Sequence, residues 1–409
     1  MQNHSTNPFE TLWTGTPPAG TATAVARMMH RANIPGLSVA VVNRDRLCFA
    51  AGYGHADLTG NTPSTADTDY LWFSMTKIVT ATAALRLADD GRLDLDSPAA
   101  DYLGGLRPRG TEQPTVRQLL THTAGLGNPL PLRWTHPADA QPPDPHVLLA
   151  RLLNRRRAFT QPAGGVAKYS NVGYLAAGEI ISDAARMPFT DYVRQAVLRP
   201  LGMENTGFRY RAGAARATGY VHTPKITDPL LRHLLPTGIV SERSGPFLAL
   251  NPFYVDGPAY GGLVGDTLDA ARFMRMHLND GELDGQRVLT PETTRGMRRL
   301  AYRGRPFDHG IGWFRKPTND VGDWVEHFGA GAGFWNVMRL YPERGIGIVI
   351  MANTTSRYNF EPLFRLLAGC GSRLSGTPSD IPRQPSHSLE LARSPAERLS
   401  VSAAALPIS

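Results

Sequence analysis

Ser74-Met75-Thr76-Lys77 opens a helical run that continues to about Asp90, and its reading decides how the rest of the chain is understood. The sequence holds 43 lysines and arginines, yet its lysines are only Lys77, Lys168, Lys225 and Lys316. Of the two side chains, only that of lysine gives up its proton readily enough to serve as a base. Ile78, Ala81, Ala84, Leu85 and Ala88 form an apolar stripe at helical spacing, and Gly91 ends it. Positions three apart share a helix face, so the Lys77 amine and the Ser74 hydroxyl can meet. Once desolvated, Lys77 loses affinity for its proton and can take the one on Ser74, leaving a nucleophile. With 19 serines and four lysines in the chain, about 0.2 such pairs arise by chance. The tetrapeptide therefore acquires meaning only through its partners.

Outward from that helix, strand character lies at the two ends of the chain and helical character in the middle. Residues 36–43 and 47–54 are apolar, β-leaning runs around the turn Arg44-Asp45-Arg46, which reads as an antiparallel hairpin. Residues 20–33 before them read as helix. Late in the chain, residues 310–316, 324–328, 334–341 and 345–352 read as strands separated by short turns, with a helix over 360–368. Between them, 148–153 and 172–185 are the clearest helical runs, and the proline-rich stretches 128–145 and 224–258 read as long covering loops. The expectation is an α+β fold, with one antiparallel sheet built from both chain ends, flanked by helices, and a mainly helical lobe inserted. The corresponding division is an N-terminal extension 1–19, an α/β lobe of 20–91 and 255–370, a helical lobe with long loops over 92–254, and a tail over 371–409. That tail has no aromatic residue, is dense in Ser, Pro and Arg, and reads as disordered.

Bulk properties prune the function classes. A chain of 409 residues with 42% hydrophobic and 19% charged content has the profile of a globular protein with a sizeable core. No apolar run of about 18 residues occurs, so no membrane span is expected. Met1–Pro8 lacks a basic patch followed by an apolar core, which points to a cytoplasmic protein. Cys48 and Cys370 share no ligand spacing, and Cys48 in its apolar run reads as a small buried hydrophobe. The net charge of +8 is spread along the chain without interleaved aromatics, so no nucleic-acid partner is expected. No Gly-x-Ser-x-Gly elbow, His-Glu-x-x-His, P-loop or dinucleotide glycine pattern appears, and neither a cofactor nor a metal is called for.

Three further segments supply the partners that Ser74 and Lys77 need. They are Lys168-Tyr169-Ser170-Asn171-Val172-Gly173-Tyr174, His327-Phe328-Gly329-Ala330-Gly331-Ala332-Gly333 near the end of a strand, and Leu119-Leu120-Thr121-His122-Thr123-Ala124-Gly125-Leu126. The order Ser-x-x-Lys, Tyr-x-Asn, then basic-x-Gly on a late strand resembles the serine β-lactamase and penicillin-binding-protein superfamily, most closely its class C branch and the β-lactamase-like esterases. Tyr-Ser-Asn-Val-Gly-Tyr, Leu-Leu-Thr-His-Thr-Ala-Gly-Leu and Gly261-Gly262-Leu263 strengthen the likeness, which spans about residues 20–370.

The resemblance implies Ser74 as nucleophile, Lys77 as its base partner and Tyr169 as a second base or acid. Asn171 would hold Lys77 and the polar side of the substrate. The backbone N–H groups of Ser74 and Ala330 would form an oxyanion hole beside Gly329. A serine at a helix start sits at the positive end of the dipole, which agrees with that role. Tyr169 would need neighbouring cations to bring its phenol down from its usual pKa near 10; Lys77 and the adjacent Lys168 are the candidates, with a solvent-facing Lys168 the competing account. In the family the Leu119–Leu126 segment is a structural turn, which leaves His122 outside the chemistry. Trp134, Phe247, Phe253, Tyr254 and Trp335 are candidates for an acyl pocket, with ordinary packing the competing account.

The departure from the family is His327-Phe328-Gly329, where its β-lactamases and peptidases carry Lys, then Thr or Ser, then Gly. A histidine is mostly neutral above about pH 7 and phenylalanine offers no hydroxyl, so the grip on a substrate carboxylate weakens. That favours a serine hydrolase acting on a neutral small-molecule ester or amide, by default a carboxylesterase working through an acyl-enzyme. His327 is expected to hydrogen-bond Tyr169. A β-lactamase or D-amino-acid peptidase or amidase, an acyltransferase, and a non-catalytic peptidoglycan- or protein-binding relative remain alternatives.

Overall fold

The computed structural model describes residues 10–15, 17, 19–106, 113–129, 134–155, 158–316, 323–355 and 359–372. Its centre is the hairpin of β2 (Gly36–Asn43) and β3 (Leu47–Asp57), preceded by α1 (Thr21–Ala32). The turn closes because Asn43 Oδ1 accepts the N–H groups of Asp45 and Arg46 at 3.0 and 2.8 Å. An edge strand, β1 (Glu10–Gly15), lies antiparallel along β3, so part of the expected N-terminal extension is sheet. The short β4 (Thr62–Pro63) pairs with the far end of β3.

The chain returns to this sheet near its C-terminus through β5 (Asp308–His309), β6 (Phe314–Arg315), β7 (Val325–Gly331), β8 (Phe334–Tyr341) and β9 (Ile346–Ala352). β9 pairs with β2 over Ile346↔Asn43 to Ala352↔Leu37 and joins the two ends of the sequence. The order is β1-β3-β2-β9-β8-β7-β6-β5, antiparallel throughout among the described residues. The expected sheet from both chain ends is what forms. Of the expected strand 310–316 only β6 forms; it turns back at the left-handed Gly312 to pair with β5, which lies just before that stretch.

Alternation along β2 explains why its sequence is apolar at almost every position. Val39 and Val41 face one layer with Phe49, Ile348 and Ile350, covered by α1 and the C-terminal helix. Ala40 and Val42 face the other layer with Met338, Leu340 and Met274. A sheet buried on both faces needs hydrophobes on both phases of the pleat. Cys48 is buried, as expected for a small hydrophobe. The second layer is built by α2 (Thr76–Asp89), α3 (Asn171–Ala185) and α4 (Thr267–Leu278), and the first is closed by α5 (Glu361–Ser372).

The middle of the chain is less irregular than its prolines suggest. The two proline-rich stretches pair with each other, Thr135–Pro137 against Phe253–Val255. Tyr220–His222, Val240–Ser244 and Phe247–Leu250 make a small three-stranded sheet. The tail beyond Ser372 lies outside the described residues.

Arg339 on β8 fastens α5 to the sheet. It donates to Glu326 Oε2 at 2.9 Å and to Glu361 Oε2 at 2.7 Å, with its guanidinium 4.1 Å from the Trp324 ring and 3.9 Å from that of Phe364. Burial pushes the Glu326 carboxyl up and Arg339 pulls it back. Removing one member of a buried ion pair strands the other, at about 3–5 kcal/mol. Arg339→Met is therefore expected to lower unfolding free energy by about that amount in urea titration. Adding Glu326→Gln should recover part of the loss.

Candidate active site

Ser74 sits in a single 3-10 turn, Phe73–Met75, that leads directly into α2. Phe73 holds a left-handed φ of 47°. Such backbone in a bulky residue costs on the order of 1–3 kcal/mol and persists only where its surroundings over-determine it. Those surroundings are visible. The Phe73 ring packs 6.3 Å from Phe253 and 6.0 Å from Phe334, and Trp72 N–H is held by Leu263 O at 2.8 Å. On the other side lies β7: a Cβ at Gly331 would stand 2.0 Å from the Phe73 ring, and one at Gly329 would stand 1.9 Å from Trp72 O. Glycine at 329 and 331 lets the strand carrying Ala330 lie directly against the turn carrying Ser74.

Lys77 is completely buried one helical turn on. Its Nζ lies 2.9 Å from Ser74 Oγ, 2.8 Å from Asn171 Oδ1 and 2.8 Å from the Tyr260 carbonyl. Burial holds the amine well below the ordinary lysine range. A neutral amine has two N–H bonds and one lone pair. In that neutral form Asn171 Oδ1 and Tyr260 O, which only accept, would take both hydrogens and leave the lone pair to the Ser74 hydroxyl. The rings of Tyr169, Tyr260 and Tyr174 surround Nζ at 4.8, 5.5 and 5.6 Å. Those aromatic faces favour an ammonium at this place. The pocket around Nζ thus has room for either form of the amine.

Asn171 is delivered by the start of α3. Ser170 is its N-cap, with Oγ accepting from Gly173 N at 3.1 Å, and Asn128 Oδ1 accepts the Asn171 N–H at 2.9 Å. Tyr169 precedes the cap. Its hydroxyl is buried without a well-formed hydrogen bond, and burial raises the phenol, with the Ser74 side chain easing it back. The expected lowering by two cations does not occur. Burial drives Lys77 towards its neutral form, and Lys168 is exposed and donates to Thr160 Oγ1 at 3.3 Å. Tyr169 is a neutral phenol, suited to give and recover a proton rather than to begin as a base.

His327 is buried at the same centre, but it does not hydrogen-bond Tyr169. Its Nδ1–H donates to the Phe328 carbonyl at 2.8 Å, which fixes the ring 6.1 Å from that of Tyr169 with Nε2 buried and unpartnered. Burial lowers its pKa well below the ordinary value, so position 327 carries no positive charge. Phe328 points to the other side of the strand. It stacks on Trp335 at 5.5 Å and 12°, and the pair packs against the α1 and α5 layer, which takes Trp335 away from any acyl pocket. Of the other aromatic candidates, Phe253 and Trp134 adjoin the centre through Phe73 and Tyr260. Phe247 packs instead with Tyr220 and His222, and Tyr254 with Tyr210 and His136.

One residue at the centre was not singled out from the sequence, and another was weighed and set aside. Tyr260 contributes a backbone carbonyl, which no residue type signals. His122, set aside as part of a turn, lies with its ring 4.5 Å from that of Tyr169. A cavity of about 580 Å³ lined by His136, Tyr210, Arg211, Tyr254 and Asp256 contains none of Ser74, Lys77, Tyr169 or Asn171. Chemistry rather than volume marks the site. Among the described residues no group of His, Cys, Asp and Glu side chains is arranged to hold a metal ion, and no helix is long and apolar enough to cross a membrane.

Residues 21–368 match the family model described as Beta-lactamase. Protein Rv1367c of Mycobacterium tuberculosis (strain ATCC 25618 / H37Rv) is 30% identical over 324 residues, covering 72% of this chain and 77% of that protein. The D-amino acid amidase from Ochrobactrum anthropi SV3, solved with D-phenylalanine, superposes with a TM-score of 0.70 at 22% identity, over 87% of this chain and 100% of the amidase. EstCE1, a hydrolase with promiscuous acyltransferase activity, superposes with a TM-score of 0.66 at 20% identity, over 86% of this chain and 98% of its own. At these identities the superpositions show a common fold.

Proposed function

The chain belongs to the beta-lactamase family, and from that premise we propose that it is a serine hydrolase cleaving a neutral carboxylic ester through an acyl-enzyme on Ser74. The observation that carries the proposal is the placement of the buried Lys77 Nζ 2.9 Å from Ser74 Oγ and 2.8 Å from each of two acceptors, Asn171 Oδ1 and the Tyr260 carbonyl, which together leave the lone pair of the neutral amine to Ser74. In this reading the Ser74 hydroxyl gives its proton to Lys77 Nζ as Oγ attacks the ester carbonyl. The resulting oxyanion is taken up by the N–H groups of Ser74 and Ala330, which need no reorganisation in a water-poor site. The C–O bond to the alcohol breaks as Tyr169 donates its phenolic proton to the leaving oxygen and recovers one from the Lys77 ammonium. Water then enters and gives a proton to the restored base as its oxygen attacks the acyl carbon; the bond from that carbon to Ser74 Oγ breaks, the base returns the proton to Oγ, and the carboxylic acid leaves. An alcohol or amine in place of water gives acyl transfer by the same steps.

Preference for a neutral substrate rests on position 327. A lysine there would present a cation to a substrate carboxylate, and the buried, uncharged His327 does not. Loss of such a charge-assisted contact is worth about 1.5–3 kcal/mol, or roughly 10–100-fold in kcat/KM. The aromatic wall of Phe73, Phe253 and Phe334 beside Ser74 suits an apolar acyl group. Turnover of p-nitrophenyl butyrate, nitrocefin and a D-alanine amide by the same preparation tests the reading, with the butyrate ester expected to be fastest. Faster nitrocefin would make the chain a β-lactamase, and a faster D-amide an amidase. Folded protein that turns over none of them would be a binding protein on this scaffold.

A further inference from the structure

His122 touches the segment that carries Tyr169 in three ways. Its carbonyl accepts the Lys168 N–H at 2.8 Å, its ring Nδ1 accepts the Ser170 N–H at 3.1 Å, and its ring lies 4.5 Å from the Tyr169 ring at 31°. The residues before and after Tyr169 are therefore fixed by one residue, which also supports the side chain between them. His122 itself is buried and held in the left-handed region at φ 62°, a conformation that histidine adopts less readily than glycine or asparagine. Tyr174 and His309 close the other sides of its ring at 5.1 and 5.0 Å. A strained backbone and a buried imidazole are an expensive way to build a turn.

We infer that His122 is a positioning residue for Tyr169, holding the phenol where it can pass a proton to the leaving group; the assignment rests on the role proposed for Tyr169. The Ser170 N–H can bond only to an Nδ1 that carries no proton, so the ring proton sits on Nε2 and the imidazole is uncharged. The surroundings enforce that state. Burial keeps the ring from taking a second proton. Tyr169 makes no well-formed hydrogen bond of its own, so the backbone bracket and the ring contact do the placing.

Two substitutions separate the parts. In His122→Asn, Oδ1 stands close to where Nδ1 stood and asparagine tolerates the left-handed backbone, so the bracket survives. In His122→Gly the backbone is at ease and both the acceptor and the ring are gone. The experiment measures kcat, KM and thermal midpoint with p-nitrophenyl butyrate for wild type, both variants, Tyr169→Phe and the double variant Tyr169→Phe/His122→Gly. A phenol displaced by about 1 Å loses on the order of 100-fold in rate. The expected result is kcat down about 100-fold in His122→Gly with KM little changed, and kcat within about tenfold of wild type in His122→Asn. In the Tyr169→Phe background the His122→Gly change should cost little further, because its target is already gone.

A merely structural role predicts instead that the losses multiply, and that result overturns the assignment. So does wild-type kcat in His122→Gly, or a folded His122→Asn as slow as Tyr169→Phe. If His122→Gly fails to fold, the same comparison is made with His122→Leu, which keeps bulk and lacks the acceptor. Wild type without ester turnover overturns the hydrolase reading and this assignment together. Active wild type with multiplying losses overturns this assignment alone.

Discussion

Lys77→Met is expected to lower ester turnover by about 1,000-fold while leaving the protein folded. Methionine fills much of the same volume without a proton-accepting atom. The Asn171 side chain and the Tyr260 carbonyl lose a buried partner, at about 1–3 kcal/mol each, which a large double-layered core can absorb. Lys77→Arg should be as slow for a different reason, since a guanidinium keeps its proton and cannot take another. The wild-type pH profile follows from the same geometry. Burial lowers the folded-state pKa of Lys77, so the amine is unprotonated at pH values where an exposed lysine is still charged. As pH falls through that lowered value, Lys77 gains a proton from solvent and kcat/KM drops; as pH rises through it, activity returns. The ascending limb should therefore lie well below pH 10.5, the ordinary lysine value, and be absent in Lys77→Met. A variant within tenfold of wild type, or an unchanged limb, would assign the base elsewhere.

Gly329→Ala is expected to cost about 100–1,000-fold in kcat, the range for losing one oxyanion donor. The added Cβ would stand 1.9 Å from Trp72 O and 3.2 Å from Met75 N. Both are backbone atoms of the turn that bears Ser74, so neither can rotate aside. Trp72 O already accepts the Met75 N–H at 3.2 Å, and β7 must therefore move away from the turn. The N–H groups of Ser74 and Ala330 sit on the two sides of that contact, and separating them opens the hole proposed for the oxyanion. Stability should fall as well, by about 1–3 kcal/mol as for other overpacked sites. Gly104→Ala is the matched control, because a Cβ there meets nothing within 4 Å. Steady-state kinetics and urea midpoints on the two variants check the expectation; a Gly329→Ala enzyme with wild-type kcat would refute the role given to this contact.

Much of the fold was legible because its signals are periodic. The apolar strands at both ends and the helical stripe after Ser74 report which faces are buried, and the sheet assembles from them. The small sheet of residues 220–250 was missed because its strands are only three to five residues long and half exposed, leaving too few turns of the pattern to read. At the site, Ser74, Lys77 and Asn171 meet because helix spacing and an N-cap dictate where their side chains go. What stayed hidden acts through the backbone. The Tyr260 carbonyl could belong to any residue, and the left-handed Phe73 is imposed by neighbours 180 and 261 positions away. The expected His327–Tyr169 hydrogen bond failed for a related reason. The Phe328 carbonyl adjoins His327 in sequence and takes its Nδ1–H first. His122 was discounted because its motif looks like a turn, and a turn is what it is. Its further contacts depend on a segment more than 40 residues on.

The central claim, that Ser74 is a nucleophile activated by its surroundings, is tested most directly by intact mass after incubation with a fluorophosphonate. The expected result is a single phosphonyl adduct per chain on wild type and none on Ser74→Ala. Folded wild-type protein that takes up no adduct, or an adduct that persists in Ser74→Ala, would contradict it.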